Sequence, residues 1–236
     1  KNAGMVRPNA PNANPLRLMT LDRNVSEGNA FTGTAFAEVK FLQDFKFTFN
    51  VGTGVDGRRH TSMNNMYYGQ FATNGGTLYK EHEQKFYVNL QQLLSYDRTF
   101  ADVHNLGLLL GHETYRMNNV SVSGYKTNMF SIDNLELGGA VIDGQQAASS
   151  MSEYNNEGFF FRAQYDYADR IFLSGSYRLD ASSRFHKDRR WGSFWSFGAG
   201  WLINHESWFD AYWVDMLKLK ASAGSQGNDG IPDYLY

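Results

Sequence analysis

The sequence predicts an all-β fold, an antiparallel β-barrel whose strands cross a membrane. The clearest observation is the alternation in residues 159–167, where aromatic and small apolar side chains fall on one face of a strand and polar ones on the other. The alternation recurs in segments of about ten residues, the length that a tilted strand needs to cross a bilayer core. Short and long connections also alternate along the chain, as periplasmic turns and extracellular loops do in outer-membrane barrels.

The chain is predicted to have two parts. Residues 1–29 are expected to form an irregular connecting segment, because they are rich in Asn and contain Pro8, Pro11 and Pro15. Residues 30–236 are expected to form a β-barrel segment, because alternating polarity begins there and recurs to the C-terminal region.

Alternating polarity places about eight strands in the barrel segment. A first hairpin is predicted at 31–51, because Gln43 and Asp44 separate two alternating segments. The later strands are predicted near 85–96, 102–114, 159–167, 171–179, 195–203 and 217–223. Short turns are predicted at 97–101 and 168–170. Long extracellular loops are predicted at about 52–82, 115–154 and 181–191.

Composition excludes several classes of protein. The formal net charge of -2 over 236 residues argues against an electrostatic binder of nucleic acid. The chain has no cysteine, which excludes disulfides and thiolate metal sites. Aromatic residues make up 16% of the chain and Pro occurs only 4 times, a composition that favours strands over helices. No run approaches the roughly 18 consecutive apolar residues of a transmembrane helix.

Alternation alone does not say which face of a strand meets water. A soluble lipocalin-like barrel or a β-sandwich alternates equally well with its apolar face inward. Three observations favour the membrane barrel. The polar face is rich in Gly, Ser, Thr and Asn, the strands are longer than the usual ~5 to 6 residues, and aromatic residues cluster toward strand ends as girdles do. A soluble β-rich surface adhesin stays open as an alternative.

Four short runs carry a resemblance to a known family. They are YRLDASSRF at 177–185, RWGSF at 190–194, GAGW at 198–201 and LKLKASAG at 217–224. Together they resemble the strand, loop and strand pattern of SusC/RagA-type TonB-dependent outer-membrane transporters, and the similarity covers about 14–231. Ala181 stands where the family usually has Gly, and 222–224 lacks an aromatic residue often found there.

The resemblance implies a larger barrel, of which this chain would be an internal segment with about eight strands, because its residues contain no plug domain or TonB box. It implies TonB-dependent import of a glycan or peptide nutrient across the outer membrane of a Gram-negative bacterium of the Bacteroidota. The expected partners are a SusD-like surface lipoprotein, TonB through an N-terminal region outside this chain, outer-membrane lipid and the substrate. A homodimer is also expected, and a nucleic-acid partner is not.

No motif predicts catalysis, a metal site or a cofactor. Residues 52–57 match GxGxxG, but they follow an alternating strand and precede polar residues rather than an amphipathic helix. His112 and Glu113 begin like HExxH, but Arg116 stands where the second zinc ligand is needed. No GxSxG run marks a nucleophilic serine. The protein is therefore predicted not to be an enzyme, and a small outer-membrane barrel hydrolase stays open as the alternative.

Five residues in the predicted long loops are candidate contacts for the substrate or the lipoprotein. They are Tyr67, Tyr68, Asn74, Tyr125 and Asn128. Aromatic rings stack on sugars or peptides, and amides hydrogen-bond to neutral groups, so this chemistry needs no net charge. Packing within the loops explains the same residues equally well. The charged segment 184–190 is interpreted either as a contact for anionic lipopolysaccharide or a partner, or as a solvated loop with internal ion pairs.

Overall fold

The computed structural model describes residues 14–143 and 147–231. In these residues nine strands form one sheet, in the order β1-β2-β3-β4-β6-β7-β8-β9, with the short β5 paired to β4. The helix and strands are α1 Pro15–Leu21, β1 Arg23–Phe41, β2 Phe45–Asn64, β3 Thr77–Phe100, β4 His104–Met129, β5 Ala140–Asp143, β6 Ala148–Tyr167, β7 Ile171–Ser182, β8 Trp191–Leu202 and β9 Lys218–Ser225. The predicted antiparallel all-β fold is confirmed. The sheet has one strand more than the eight that were predicted, the short β5.

Three tight turns close the hairpins β1-β2, β3-β4 and β6-β7. Each turn has two consecutive non-glycine residues with positive φ, the backbone of a type I′ turn, whose twist matches that of the flanking strands. These pairs are Leu42 and Gln43, Ala101 and Asp102, and Ala168 and Asp169. The turn predicted at 168–170 is confirmed, whereas the turn predicted at 97–101 lies at 101–103 because β3 continues to Phe100.

The strands extend far into the segments that were predicted as long loops. The connection predicted at 52–82 is reduced to 65–76, because β2 continues to Asn64 and β3 begins at Thr77. The GxGxxG run at 52–57 therefore lies inside β2.

The other two loop predictions were too long for the same reason. The connection predicted at 115–154 is shorter at both ends, because β4 continues to Met129 and β6 begins at Ala148, with β5 between them. The connection predicted at 181–191 lies at 183–190. Strands of 20, 24 and 26 residues in β2, β3 and β4 far exceed the ~9 to 11 that cross a bilayer. Strands of this length are long enough to extend beyond the apolar layer, where both faces of a strand meet water and alternating polarity is no longer required.

The N-terminal prediction is also corrected. Residues 1–13 lie outside the described residues, but 15–29 are regular rather than irregular, since they form α1 and the start of β1. The Asn14 side chain caps α1 by accepting a hydrogen bond from the Leu16 N–H at 3.0 Å, and Pro15 occupies the first turn, where its missing N–H costs nothing. An Asn-Pro pair therefore begins a helix here, although Asn and Pro predicted a loop.

The described residues group into two compact units. The first comprises those within Lys1–Phe31, Val55–Phe86 and Asn118–Ser152. Its core consists of the buried residues Met63, Leu78, Met129 and Ala140, with Met66, Ile132, Leu135 and Leu137 packed against them. This core joins strand ends to the 130–139 segment, so the connections of this unit pack on themselves.

The second unit comprises the described residues within Thr32–Gly54, Tyr87–Met117 and Glu153–Tyr236. Its sheet has two chemically different faces, since paired residues share a face in the β6-β7-β8-β9 register. The apolar face carries Phe159, Phe161, Leu173, Tyr177, Trp195, Phe197 and Leu219, and all of them are exposed. The polar face carries Arg162, Gln164, Ser174, Ser176, Arg178, Ser196 and Lys220. An exposed apolar face opposite a polar face is the arrangement of a membrane barrel wall, with the polar face toward the lumen.

Candidate functional site

Of the five predicted contact residues, Tyr68 has a structural role in the first unit. Its hydroxyl accepts a hydrogen bond from the Asn14 N–H at 2.6 Å. The Arg17 guanidinium carbon lies 4.7 Å from the centre of the Tyr68 ring, a cation–π contact. Both contacts attach α1 to the 65–76 connection, so the ring and hydroxyl of Tyr68 serve packing within the loop.

Asn65 organises the same connection, although the sequence analysis did not identify it. It is 1% exposed, and its backbone N–H and its side-chain amide donate to the Asp22 carboxylate at 2.8 and 2.6 Å. Its own side-chain oxygen accepts from the N–H groups of Tyr67 and Tyr68 at 3.0 and 2.8 Å. The backbone below Tyr67 is therefore held in place while the Tyr67 side chain is 61% exposed.

The remaining predicted residues lie near the end of β4. Asn74 and Asn128 are exposed, and the structure brings their segments together, since the Asn128 N–H donates to the Gly76 carbonyl at 3.3 Å. Asn128 has a φ of 60°, a left-handed conformation that Asn tolerates better than most residues. Tyr125 is half-buried on β4. The structure thus leaves Tyr67, Asn74 and Asn128 accessible in this unit.

A row of three tyrosines crosses neighbouring strands of the second unit. The rings of Tyr87 on β3 and Tyr115 on β4 stack at 6.3 Å between centroids, and the rings of Tyr115 and Tyr154 on β6 meet at 6.0 Å. All three side chains are half-buried. We refer to Tyr87, Tyr115 and Tyr154 as the tyrosine row. Three neighbouring rings offer flat, amphipathic surface with hydroxyl groups that donate and accept hydrogen bonds.

Small and polar neighbours position the first member of the row. Gly54 on β2 lies under the Tyr87 ring, and a methyl group at that position would overlap the ring. The Thr53 hydroxyl donates to the Tyr87 carbonyl at 3.1 Å, and the Thr32 hydroxyl lies 3.4 Å from the Tyr87 hydroxyl. Gly54, which predicted a loop, instead provides the space in which an aromatic ring lies against a strand.

Asp229, which follows β9, orients the last member of the row. Its carboxylate accepts hydrogen bonds from the Tyr154 hydroxyl at 2.6 Å and from the Ser182 hydroxyl at 2.9 Å. The Arg184 guanidinium donates to the Asp229 backbone carbonyl at 3.0 Å and lies 4.7 Å from the Tyr154 ring centre. Three interactions with other side chains lower the pKa of Asp229. The hydrogen bond from Tyr154 has the largest effect, and the hydrogen bond from Ser182 and the positive charge of Arg184 add to it.

A charge cluster lies next to the row on the polar face. The Arg178 Nε donates to both oxygens of Asp180 at 2.7 Å, and its Nη2 lies 3.5 Å from Glu113. The guanidinium also lies 5.2 Å from the centre of the Phe160 ring. That ring covers Gly111, where any side chain would overlap it. Arg178 is thus held by two carboxylates and one aromatic ring.

One sequence signal pointed to the tyrosine row. Tyr87 and Tyr115 occupy positions of β3 and β4 that share a face with Asn89 and Glu113, so they are aromatic residues on an otherwise polar face. Their mutual contact depends on strand register, which a sequence does not specify for strands with mixed polarity on both faces. The row therefore had to be observed in three dimensions.

His112 and Glu113, the start of the incomplete HExxH motif, make separate contacts within the sheet. The His112 ring stacks on Phe159 at 4.5 Å, and its two nitrogens lie 2.7 Å from Gln92 and 3.1 Å from Glu157. Within 14–143 and 147–231, no three His, Asp or Glu side chains group as metal ligands would. Over the same residues, no helix is both long and apolar enough to span a membrane.

Sequence comparison relates the chain to receptors of known type. It is 27% identical over 234 residues to TonB-dependent receptor P3 of Formosa agariphila, covering 94% of this chain and 22% of that protein. It is also 27% identical over 235 residues to TonB-dependent receptor SusC of Bacteroides thetaiotaomicron, covering 96% of this chain and 22% of SusC. The chain thus spans about a fifth of the length of these curated relatives, which are receptors rather than enzymes. No protein-family model matches the chain.

Structural comparison agrees on the fold. Solved structures of the RagAB peptide transporter, including its closed-closed and open-open states, match with a TM-score of 0.83 and 21% identity. The match covers 91% of this chain and 24% of the matched chain. The outer-membrane location expected from the sequence is confirmed, and the curated relatives come from Bacteroidota. The predicted resemblance is therefore confirmed: over nearly its whole length the chain is similar to SusC/RagA-type TonB-dependent receptors, and its sheet is part of an outer-membrane β-barrel.

Proposed function

We propose that the protein imports a glycan or peptide nutrient across the outer membrane in a TonB-dependent manner, moving the substrate without changing it chemically. The similarity to SusC and to the RagAB peptide transporter supports import as the general activity. The absence of a catalytic motif in the sequence supports a transport role over the hydrolase alternative.

The tyrosine row is the observation that carries this proposal for the chain itself. A barrel lumen that only conducted water would not need three adjacent aromatic rings on its polar face. Rings spaced at 6.0 and 6.3 Å offer successive stacking positions to sugar faces or peptide planes, and the hydroxyl groups supply hydrogen bonds. Because the row carries no formal charge, it suits neutral parts of a substrate.

The same relatives support the proposed partners. We propose a SusD-like lipoprotein that covers the extracellular end, TonB acting on a part of the protein outside this chain, and outer-membrane lipid against the apolar face. The accessible residues Tyr67, Asn74 and Asn128 are the proposed contacts for the lipoprotein or the incoming substrate, with Tyr68 and Tyr125 supporting them. The 65–76 connection and the 130–139 segment would then face the cell exterior. A homodimer of the complete transporter is part of the proposal.

A matched pair of variants in the full-length protein tests the proposal. Tyr115→Ala removes the central ring of the row, whereas Tyr177→Ala removes an exposed ring from the apolar face. With neutral oligosaccharides and short peptides as probes, we expect Tyr115→Ala to weaken binding by about tenfold, because it removes the central stacking position and the ring that connects the other two. Tyr177→Ala should leave binding unchanged.

Growth on a limiting glycan or peptide source should follow the binding results. Import fails as the function if the wild-type protein binds none of these probes, or if it converts them to products at a rate that follows the purified protein. Equal binding by the wild-type protein and the Tyr115→Ala variant would remove the tyrosine row from the proposal.

A further inference from the structure

A cavity on the polar face of the second unit has a different chemistry from the tyrosine row. It has a volume of about 310 Å³ and lies between the 183–190 connection, β8 and the segment after β9. Its walls include the aromatic rings of Phe185 and Phe194. Phe194 packs directly on Gly227, where a methyl group would overlap the ring. These rings cover part of the cavity wall, while Arg189 and Arg190, which also line the cavity, are exposed to solvent.

Several charged side chains line the cavity or border it, and two pairs of them neutralise each other. Arg178 is paired with Asp180 through the two 2.7 Å contacts, and it also meets Glu113 at 3.5 Å, which does not line the cavity. Asp229 is held by hydrogen bonds from Tyr154 and Ser182, and the charge of Arg184 acts on it. These acidic groups are therefore already engaged.

Arg189 and Arg190, both exposed, carry the remaining positive charge, and the charged lining side chains (Arg178, Asp180, Arg189, Arg190 and Asp229) sum to a net charge of +1. In the described part of the chain, neither guanidinium forms an ion pair with a carboxylate. The nearest acidic neighbour in sequence, Asp188, lies 3.4 Å from the His186 ring nitrogen. The Arg190 Nε donates to the Phe185 carbonyl at 3.1 Å, which fixes the orientation of this guanidinium.

We propose that this cavity binds a carboxylate group of the imported substrate, with Arg189 and Arg190 as the two donors. A planar guanidinium matches a carboxylate through two parallel hydrogen bonds, and such charge-assisted bonds are stronger than neutral ones. The small volume suits one acidic unit, either an acidic amino-acid residue or a uronic acid. The inference rests on the proposed import function and adds a preference for acidic substrates to the neutral contacts of the tyrosine row.

The test uses the full-length purified protein and two pairs of probes. One pair is a short peptide with Glu at one position and its Gln counterpart, and the other is a uronic-acid oligosaccharide and its neutral counterpart. We expect the wild-type protein to bind at least one acidic probe about tenfold more tightly than its neutral counterpart. The arm that shows the preference identifies the source of the carboxylate.

Three variants connect that preference to the cavity. The double variant Arg189→Gln with Arg190→Gln should lose the preference while binding neutral probes as the wild type does. The double variant Arg189→Lys with Arg190→Lys keeps the charge without the planar fork, so it should keep only part of the preference. Lys187→Gln removes a neighbouring charge that does not line the cavity, and it should keep the full preference.

Two results would overturn the inference. One is equal wild-type binding of acidic and neutral probes in both arms, and the other is a glutamine double variant that retains the preference. Both results leave neutral binding at the tyrosine row intact, so import would stand without the carboxylate site. Failure of every probe to bind would instead count against the import function itself.

Discussion

Arginine substitutions on the two faces of the barrel wall should have very different effects on stability. Phe197 lies on the apolar face and is 52% exposed, and it pairs with Gly175 in β7. The same strand pairing runs from Ile171 opposite Trp201 to Ala181 opposite Trp191. At ~3.3 Å per residue and a strand tilt near 40°, this ten-residue span covers about 25 Å of membrane depth, the height of the apolar band.

The position of each residue in this band sets the expected cost. Phe197 lies four residues from Trp201 and six from Trp191, about 3 Å from the middle of the band. Phe197→Arg should therefore lower the free energy of unfolding by about 2–4 kcal/mol, the cost of an arginine at the bilayer midplane. Leu173 lies about 8 Å from the middle of the band, so Leu173→Arg should lower the free energy of unfolding by about 1–2 kcal/mol.

Ser174 provides the matched control. It is exposed on the polar face, one residue away from Leu173 and therefore at nearly the same depth. Because the lumen contains water, Ser174→Arg should change the free energy of unfolding by less than about 0.5 kcal/mol. Denaturant titration of the full-length protein in phospholipid bilayers measures all three values. Equal losses for Leu173→Arg and Ser174→Arg would show that the faces are assigned wrongly, and a larger loss at Leu173 than at Phe197 would contradict the depth assignment.

Three further outcomes follow from contacts in the structure. Gly111→Val should lower the free energy of unfolding by about 1–3 kcal/mol, because the new side chain overlaps the Phe160 ring, whereas Gly138→Val, with open space around it, should cost less in the same titration. Acidification should release the segment after β9. The pKa of Asp229 is lowered, so its ionised carboxylate stabilises the fold fully at neutral pH, and this stabilisation is lost as the pH falls through that pKa. Limited proteolysis at neutral and at acidic pH measures the release. The Asp229→Asn variant should already show it at neutral pH. Asn65→Ala should increase amide hydrogen exchange at 65–68, because the Asp22 carboxylate loses one of its two donors and the N–H groups of Tyr67 and Tyr68 lose their acceptor; unchanged exchange would contradict this role.

Where one face of a strand meets lipid and the other meets the lumen, the amino-acid sequence was sufficient to predict the structure. The alternation at 159–167 and 171–179 predicted β6, β7 and the turn between them, because the two environments impose opposite side-chain chemistry on successive residues. The same requirement made the apolar face predictable, and residues such as Phe161 and Leu173 are exposed on it.

Beyond the bilayer this signal fades, and the predicted loop boundaries were wrong for that reason. Gly52, Gly54 and Asn64 are turn formers by composition, yet they continue β2, because backbone hydrogen bonds to a neighbouring strand form whatever the side chains are. The sequence therefore could not separate a long solvated strand from a loop.

The candidate sites depend on which residues meet across strands, and a shift of one residue in register would turn each of them to the other face. Tyr87, Tyr115 and Tyr154 are far apart in the chain and lie on three strands, so only the paired sheet brings neighbouring rings of the row to 6.3 and 6.0 Å. Arg190 lines a cavity that the segment around Asp229 also lines. Local chemistry along the chain thus determined the wall of the barrel, whereas long-range strand pairing and packing determined the surfaces that would bind a substrate.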